Sequence, residues 1–332
     1  MGLIFVDGFD HYSTLSEKWD GSAQYAISAL GRFSTNGVGS TDWGAYLGKS
    51  LTAIETVYVG FAINTVNGLP SRNISLLTLY DTGTIQCRFM IPTGTNFVRA
   101  YKGSTTTLLG TATAPIPMNG FHYIEFMAKI GSGDGEMHFK IDGVEVLTVT
   151  SADNRATSID QVNSVRIGPN GSSGWSVTNY PLDDIYIADD AFKGDCRVET
   201  LMPESEGAYE QFLNPDSTPN YSVVDEVTPN TADYVYANLA GSTDSYGFPA
   251  LDEIAGNIKG VAVNTYVQKD SSGTKTIGGF ARVGGDEAVS AGQTVPSSWG
   301  FVQQFIDNPA DSDGNWNVVD VNAAEFGQQV IS

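Results

Sequence analysis

The stretch from Phe121 to Thr150 constrains the fold more than any other part of the chain, because apolar and polar residues alternate along it. The apolar residues that share one side of its two segments are Ile124, Phe126, Ala128 and Ile130, then Met137, Phe139 and Ile141. A period of two is typical of a β-strand with one face in a core. Asp142-Gly143 is a tight-turn sequence. The stretch therefore predicts an antiparallel sheet that is solvated on one face.

The composition favours an all-β chain over its full length. Charged residues make up 17% of the 332 residues, 37 residues are glycine, and long runs of helix-forming residues are missing. Thr56–Val66, "TVYVGFAINTV", alternates in the same way as the first stretch. A chain of this length is sufficient for two domains. No fixed repeat is visible, which argues against solenoids and propellers.

The alternation lapses between Lys193 and about Tyr221, where Pro, Gly, Ser, Asn and acidic residues have no period. This lapse predicts a first β-domain over residues 1–192, a connector over 193–220 and a smaller β-domain over 221–332. Within the last domain, "IKGVAVNTYVQKDSSGTKTIGGFARVGG" predicts a long hairpin that turns at Ser271–Gly273.

The net charge of −21, from 17 basic and 38 acidic residues, disfavours nucleic acid and anionic membrane surfaces as partners. No apolar run approaches the length of about 18 residues that a membrane span needs. The N-terminal segment lacks the basic and apolar regions of a secretory signal. Cys87 and Cys196 have no metal-ligand spacing, and we expect two reduced thiols, with one bridge between them as the alternative.

Five segments of the first domain form a recognisable set: the opening "LIFVDGFDHY", "HYIEFMAKI", "EMHFKIDGVEV", "VRIGPNG" and "YPLDDIYIADD". They resemble the concanavalin A-like (laminin-G-like) jelly-roll sandwich, in the version carried by structural proteins of tailed bacteriophages. "VETLMPESEGAYEQF" and "FIDNPADSDGNWNVVDVNAAEFGQQV" are similar to a small β-domain at the ends of phage tail-associated proteins. The resemblance implies an all-β fold, with an antiparallel jelly-roll β-sandwich followed by a smaller C-terminal β-sandwich.

The same resemblance implies a non-enzymatic virion protein, made in the host cytoplasm and assembled in many symmetric copies with other virion proteins. A tail-associated appendage (fibre, baseplate or collar) is the first expectation. Capsid decoration and a glycan-binding adhesin that contacts the host surface are alternatives. A glucanase-like depolymerase is the least favoured alternative. No cofactor is expected, although some laminin-G-like domains bind Ca²⁺.

Asp183 and Asp184 lie in the acidic stretch "NYPLDDIYIADD" and are the candidate metal residues. Neighbours on a regular strand point to opposite faces, so the two carboxylates are not expected to share a proton or an ion. One would then bond loop amides while the other is solvated. A Ca²⁺ site that combines a carboxylate with loop carbonyls remains an alternative, as does catalysis.

Trp175 and Tyr180 are the candidate glycan-binding residues, because they lie in a loop sequence at the rim of the expected sandwich. Packing in the core or at an interface is the alternative. No catalytic residue is assigned. Asp134-x-Glu136 comes closest to the alternate-strand carboxylates of a retaining glycosidase, but it precedes a strand, and Glu204-x-Glu206 has no supporting strand.

Overall fold

The chain folds into two compact units, Gly2–Val198 and Glu199–Ser332, each of which is described separately. The structure is a computed structural model that describes residues 2–40, 44–66, 73–104, 107–170, 180–251 and 257–332. Both units are built from antiparallel sheets, so the all-β prediction is confirmed. The predicted connector, 193–220, is divided between the units: residues 193–198 belong to the first and 199–220 to the second.

The first unit contains two sheets and two short 3₁₀ helices, Leu15–Glu17 and Arg32–Ser34. Its strands are β1 (Leu3–Asp7), β2 (Tyr25–Ser28), β3 (Gly37–Ser40), β4 (Leu47–Ile54), β5 (Thr56–Asn64), β6 (Ile74–Asp81), β7 (Thr84–Ile91), β8 (Arg99–Lys102), β9 (Thr107–Thr111), β10 (Phe121–Lys129), β11 (Ser132–Ile141), β12 (Val144–Asp153), β13 (Val162–Asn170) and β14 (Leu182–Ala188).

Within the described residues, one sheet has the order β12-β11-β10-β5-β14-β3-β2, with β1 paired to β14. The other has the order β4-β13-β6-β7-β8-β9. Both orders combine consecutive strands with neighbours from distant parts of the sequence, such as β5 beside β14 and β4 beside β13, as in a jelly roll. The predicted turn at Asp142-Gly143 is present, with φ of +49° and +78°, the left-handed values that such a two-residue hairpin turn requires.

The core of the first unit lies between the two sheets and centres on Phe126 of β10. Its ring lies 5.8 Å from Phe61 and 4.9 Å from Phe139, both in the same sheet, and 4.9 Å from Phe89 in the facing sheet. The alternating residues singled out in the sequence therefore form the core contacts between the sheets.

The expectation of one solvated face is wrong for the middle of the larger sheet. Tyr123, Glu125 and Met127 of β10 were expected to face water, but each is buried. Residues 192–198, which we call the strap, lie over this face: the backbone N–H of Gly194 donates to Glu125 and the Phe192 ring packs against Tyr58. The alternation of polar residues therefore marked contacts with the strap as well as with solvent.

The second unit contains the 3₁₀ helix Asn220–Val223 and the short α-helix α1, Val318–Ala323. Its strands are β15 (Ser205–Glu210), β16 (Thr243–Gly247), β17 (Val261–Val267), β18 (Thr276–Val283), β19 (Asp286–Val289), β20 (Gln293–Thr294), β21 (Gly300–Ile306) and β22 (Ala324–Val330). Among described residues, β15-β16-β22-β18-β19 form one sheet with β20 beside β18, and β17-β21 form a second. Trp316 and Phe326 pack in the core at 5.4 Å.

The predicted long hairpin at Ser271–Gly273 is wrong. β17 pairs with β21, whereas β18 pairs with β22, β19 and β20, so the turn carries the chain from one sheet to the other. β18 is largely buried and β17 is half-buried, and both contribute to the core that includes Ala281, Ile306 and Phe326. Local alternation identified the strands, but distant residues decided their partners.

Cys87 and Cys196 are not joined by a disulfide; Cys87 is buried and Cys196 is half-buried. Burial raises the pKa of the Cys87 thiol to about 12. In the part of the chain that the structure describes, no helix is long and apolar enough to cross a membrane.

Candidate functional site

The opening "LIFVDGFDHY" folds into a buried polar cluster around Asp7, at the end of β1. One oxygen of Asp7 accepts the Phe9 backbone N–H and the Lys18 ammonium, each at 3.1 Å. The other accepts the Tyr12 hydroxyl at 2.5 Å and the Trp19 indole N–H at 2.7 Å. Each oxygen thus serves two donors, and the cluster ties the segment after β1 to the first 3₁₀ helix.

The charges in the Asp7 cluster are fully enclosed. Lys18 and Asp7 have side-chain exposures of 3% and 0%. Burial alone would raise the pKa of Asp7, but the Lys18 ammonium and the hydrogen bonds from Tyr12 and Trp19 outweigh it, so this pKa lies below its usual range. Burial and the neighbouring ammonium lower the pKa of His11 to about 3, which leaves its imidazole neutral. With no exposed reactive group, the cluster is suited to holding the fold.

Asp183 and Asp184 lie on β14, where the strand is bulged. Asp183 pairs with Ala62 and Tyr186 with Gly60, so the register shifts between them. Asp184 has a φ of +52°, which is unusual for a residue other than glycine. The regular alternation assumed from the sequence therefore fails here, and both carboxylates approach the same neighbour, Arg32.

The two carboxylates accept backbone N–H groups from both sides. Asp183 accepts from Arg32 and from Asp184, each at 2.7 Å, and a hydroxyl hydrogen bond joins it to Thr35 at 3.2 Å. Asp184 accepts the Val198 N–H at 2.8 Å, and its other oxygen lies 3.7 Å from the Arg32 guanidinium. Both residues are nearly fully buried, so neither is solvated as the sequence suggested.

The strap is attached to the sheet through these acids. Arg32 forms a two-pronged ion pair with Asp195 of the strap, at 2.5 and 2.8 Å, while Asp184 holds Val198 and Glu125 holds Gly194. The acidic end of β14 therefore fixes the final residues of the first unit.

The protonation of the pair follows from its enclosure. Burial, with the neighbouring Asp184 carboxylate, raises the pKa of Asp183 to about 8. Burial also raises the pKa of Asp184 to about 6, although the Val198 N–H and the arginines oppose it. Shifts of this kind are common at catalytic sites, but ion-pair networks that serve a structural purpose produce them as well. Here the surrounding groups belong to the protein itself.

The Asp183–Asp184 pair does not fit a calcium ion. Ca²⁺ takes six to eight oxygen ligands, whereas N–H groups and a guanidinium surround these carboxylates. Among the described residues, no group of three or more His, Cys, Asp or Glu side chains is placed to hold a metal ion.

The predicted glycan-binding pair is not brought together on a described surface. Tyr180 is 4% exposed, and burial raises its pKa to about 12, so its ring face cannot stack on a sugar in this conformation. Trp175 lies outside the described residues. The expectation that the two weak carboxylate motifs lie outside strands is wrong, because Asp134 and Glu136 lie on β11 and Glu206 lies on β15. Their acids have partners within the protein: Asp134 pairs with Lys129 at 3.4 Å, and Glu206 accepts the Tyr221 N–H at 3.2 Å.

The structure contains two surfaces that the sequence does not predict. The first, which we call the arginine face, is the outer face of the smaller sheet of the first unit and carries Arg88, Arg99 and Arg166. Arg88 and Arg99 are visible in the sequence of β7 and β8, but their alignment with Arg166 of β13 is not. The register between strands distant in sequence was needed to place them on one face.

The second surface is an aromatic cluster in the second unit, on and beside the β17-β21 pair. Tyr266 stacks on Trp299 at 5.6 Å and meets Phe301 of the opposite strand at 4.9 Å. Tyr234 lies 6.4 Å from Trp299, and the exposures of Tyr234 and Tyr236 are 41% and 40%. We call these five residues the aromatic face. Partly exposed aromatic clusters are typical of contact surfaces.

No protein-family model matches the chain, and no curated protein matches it. Similar solved structures include the alginate lyase Aly36B, at 14% identity and a TM-score of 0.41, over 59% of this chain and 98% of that one. A protein of unknown function with a galectin-like fold from Bacillus subtilis matches at 9% identity and a TM-score of 0.38, over 57% and 96%.

A sialidase from Trypanosoma rangeli is also similar, at 12% identity and a TM-score of 0.35, over 49% of this chain. The matching part spans about a quarter of the sialidase, 26% of its length. Likeness at such TM-scores carries no argument about activity or ligand, so the function has to be reasoned from the residues of this chain.

Proposed function

We propose that the chain is a non-enzymatic structural protein of a tailed-bacteriophage virion, placed in a tail-associated appendage. The observation that carries the proposal is that the buried aspartates of the first unit bind groups of the protein itself. Asp183, Asp184 and Asp7 accept hydrogen bonds from the chain itself and hold the strap and the N-terminal segment. The segments that resemble phage proteins thus build the framework of the first unit.

The architecture is suited to a repeated structural part. Two β-units in one chain can have separate roles, one anchoring the chain to the particle and the other exposed to solvent. The net charge of −21 keeps such a protein soluble before assembly. Symmetric assembly is the usual arrangement of repeated protein copies.

The aromatic face is the surface that we assign to contacts with neighbouring subunits. Tyr234 and Tyr236 are exposed enough to be buried by a partner, and the Trp299 ring lies 6.4 Å from that of Tyr234. Tyrosine and tryptophan are enriched at the centres of interfaces. The double variant Tyr234→Ser/Tyr236→Ser should shift sedimentation towards the monomer, while Tyr209→Ser in the same unit should leave it unchanged. Equal sedimentation of both variants and the parent would remove this assignment.

Quantitative mass spectrometry of purified particles tests the virion role. The proposal predicts that the chain co-purifies with the particles at a fixed copy number. Its absence from intact particles, together with cleavage of a bacterial surface polysaccharide by the isolated chain, would instead favour the depolymerase alternative. The variant pair Asp183→Asn and Asp153→Asn would then show whether the buried acids take part in that cleavage.

A further inference from the structure

The smaller sheet of the first unit has a charge opposite to that of the chain. Its strands β4, β6, β7, β8, β9 and β13 carry five basic residues and one acidic residue, Asp81. The whole chain has 38 acidic against 17 basic residues. A basic sheet in so acidic a protein is a local concentration of positive charge that needs a physical reason.

The three arginines of this sheet share its outer face. Arg166 pairs with Thr78, and Thr78 with Arg88, so the row crosses three adjacent strands. The next residue of β7, Phe89, points inward to Phe126, which places Arg88 on the opposite side. Arg99 lies opposite Met90 on the neighbouring strand, diagonal to Arg88. The guanidinium groups therefore project from the side that does not meet the larger sheet.

Arg166 and Arg88 are held in place by uncharged groups. The Arg166 guanidinium lies 4.3 Å from the Tyr46 ring centroid and 4.8 Å from that of Tyr80. Arg88 donates to the Ser75 hydroxyl at 3.3 Å. Arginines fixed in this way lose less conformational entropy when they bind a ligand.

The positive charge of the face is not neutralised within the part of the chain that the structure describes. The arginine ion pairs there are formed by Arg32, Arg155 and Arg282, and none involves the three arginines of this face. The Nε atoms of Arg88 and Arg99 are buried and have no hydrogen-bond partner. A buried N–H without an acceptor is costly, so the protein itself leaves the donors of these two arginines incompletely satisfied.

We propose that this face is a binding site for an acidic glycan, whose carboxylate or sulfate groups pair with Arg88, Arg99 and Arg166. Guanidinium groups match such oxyanions with two parallel hydrogen bonds. Arg88 and Arg166 stand two strand spacings apart, which is about 10 Å, so they suit separate acidic groups along one polymer. The site goes beyond the proposed virion role and does not depend on it.

The groups between the arginines favour a glycan over other polyanions. Tyr80 and Tyr101 lie on the same face as the arginines and are each 8% exposed, whereas Ser75 and Thr78 are more deeply buried. The two phenol groups suit a ligand rich in hydroxyls. Nucleic acid is disfavoured by its charge density, because a duplex carries one phosphate charge per about 1.7 Å, which three arginines in a chain with a net charge of −21 do not neutralise. An acidic peptide would satisfy the arginines but not the hydroxyls.

An array of uronate-, sialate- and sulfate-bearing glycans beside neutral glycans, probed with the full chain, tests the site, and calorimetry with the best acidic oligosaccharide gives its affinity. We expect acidic glycans to bind and neutral ones not to bind. Arg88→Gln and Arg166→Gln should each weaken binding at least tenfold. Arg155→Gln is the matched control in the same unit, because Arg155 is paired with Asp160 at 3.0 Å.

Arg99→Gln gives an independent test, since its Nε has no partner to lose and folding should be retained. It too should weaken binding, and thermal unfolding of each variant confirms that the fold is intact. Binding of poly-glutamate as tight as that of the acidic glycan would overturn the glycan assignment. Equal binding of neutral glycans, no binding of any acidic glycan, or equal affinities of the Arg99→Gln and Arg155→Gln variants would overturn the site. The isolated chain is used, so none of these results bears on its place in a particle.

Discussion

Replacing Asp7 with Asn should destabilise the first unit more than any surface change. Asp7 is fully buried, and its two oxygens accept four donors: the Phe9 N–H, the Lys18 ammonium, the Tyr12 hydroxyl and the Trp19 N–H. An Asn has one acceptor oxygen and one NH₂ group, so in either orientation its NH₂ faces at least one buried N–H.

The magnitude follows from the charge that is left behind. Removing one partner of a buried ion pair typically costs about 3–5 kcal/mol, and we expect Asp7→Asn to lie in that range. Lys18→Met should cost less, because Asp7 would keep its other three donors. The double variant should cost less than the sum of the two, since the pair interacts directly at 3.1 Å.

Urea denaturation followed by hydrogen exchange of peptides from the first unit measures these free energies of unfolding separately from those of the second unit. Asp153→Asn is the matched control, because Asp153 is 55% exposed and pairs with Lys102 at 2.6 Å. Exposed pairs contribute less than about 1 kcal/mol. Equal losses for Asp7→Asn and Asp153→Asn, or strictly additive losses for Asp7 and Lys18, would refute the reasoning.

Three further predictions concern the same unit. Gly60→Ala should lower the free energy of unfolding of this unit by about 1–3 kcal/mol, because an added Cβ would lie 2.2 Å from the Tyr186 ring. Gly285→Ala is the control, since a Cβ there would enter open space. A Gly60→Ala variant as stable as the parent would contradict the packing. The advantage in free energy of unfolding that the parent has over Asp183→Asn should be largest near pH 4 and be lost as the pH rises through about 8. The reason is that the folded carboxyl holds its proton to about pH 8, whereas the unfolded one releases it near 3.8. An advantage that stays constant or grows as the pH rises would refute the raised pKa. Adding Ca²⁺ or a chelator should not move the unfolding temperature, since the Asp183 oxygens already accept N–H donors; an increase with Ca²⁺ that Asp183→Asn abolishes would restore the calcium alternative.

Much of the first unit could be predicted because its core strands follow a simple period. Ile124, Phe126 and Met137 alternate with polar residues, and they are buried as expected. The burial of Glu125 could not be predicted, because its partner Gly194 lies 69 residues away in a segment without any period. For the same reason β17 and β18 were recognised as strands but were joined wrongly.

The candidate site shows the same limit at the level of single residues. The sequence drew attention to Asp183 and Asp184, but a bulge with a φ of +52° at Asp184 changed where the second carboxylate points. Bulges depend on how two strands are paired and leave a weak trace in one strand's sequence. The arginine face was missed because Arg88 and Arg166 come together only through the pairing of β6 with β7 and β13.

Cryo-electron microscopy of intact virions tests the central claim most directly. The account predicts many symmetric copies of this chain on the tail or its appendages, with the aromatic face buried against a neighbouring subunit and the arginine face open to solvent. Copies spread over the capsid lattice would replace the tail assignment with decoration. Particles that lack the chain altogether would contradict the proposed function.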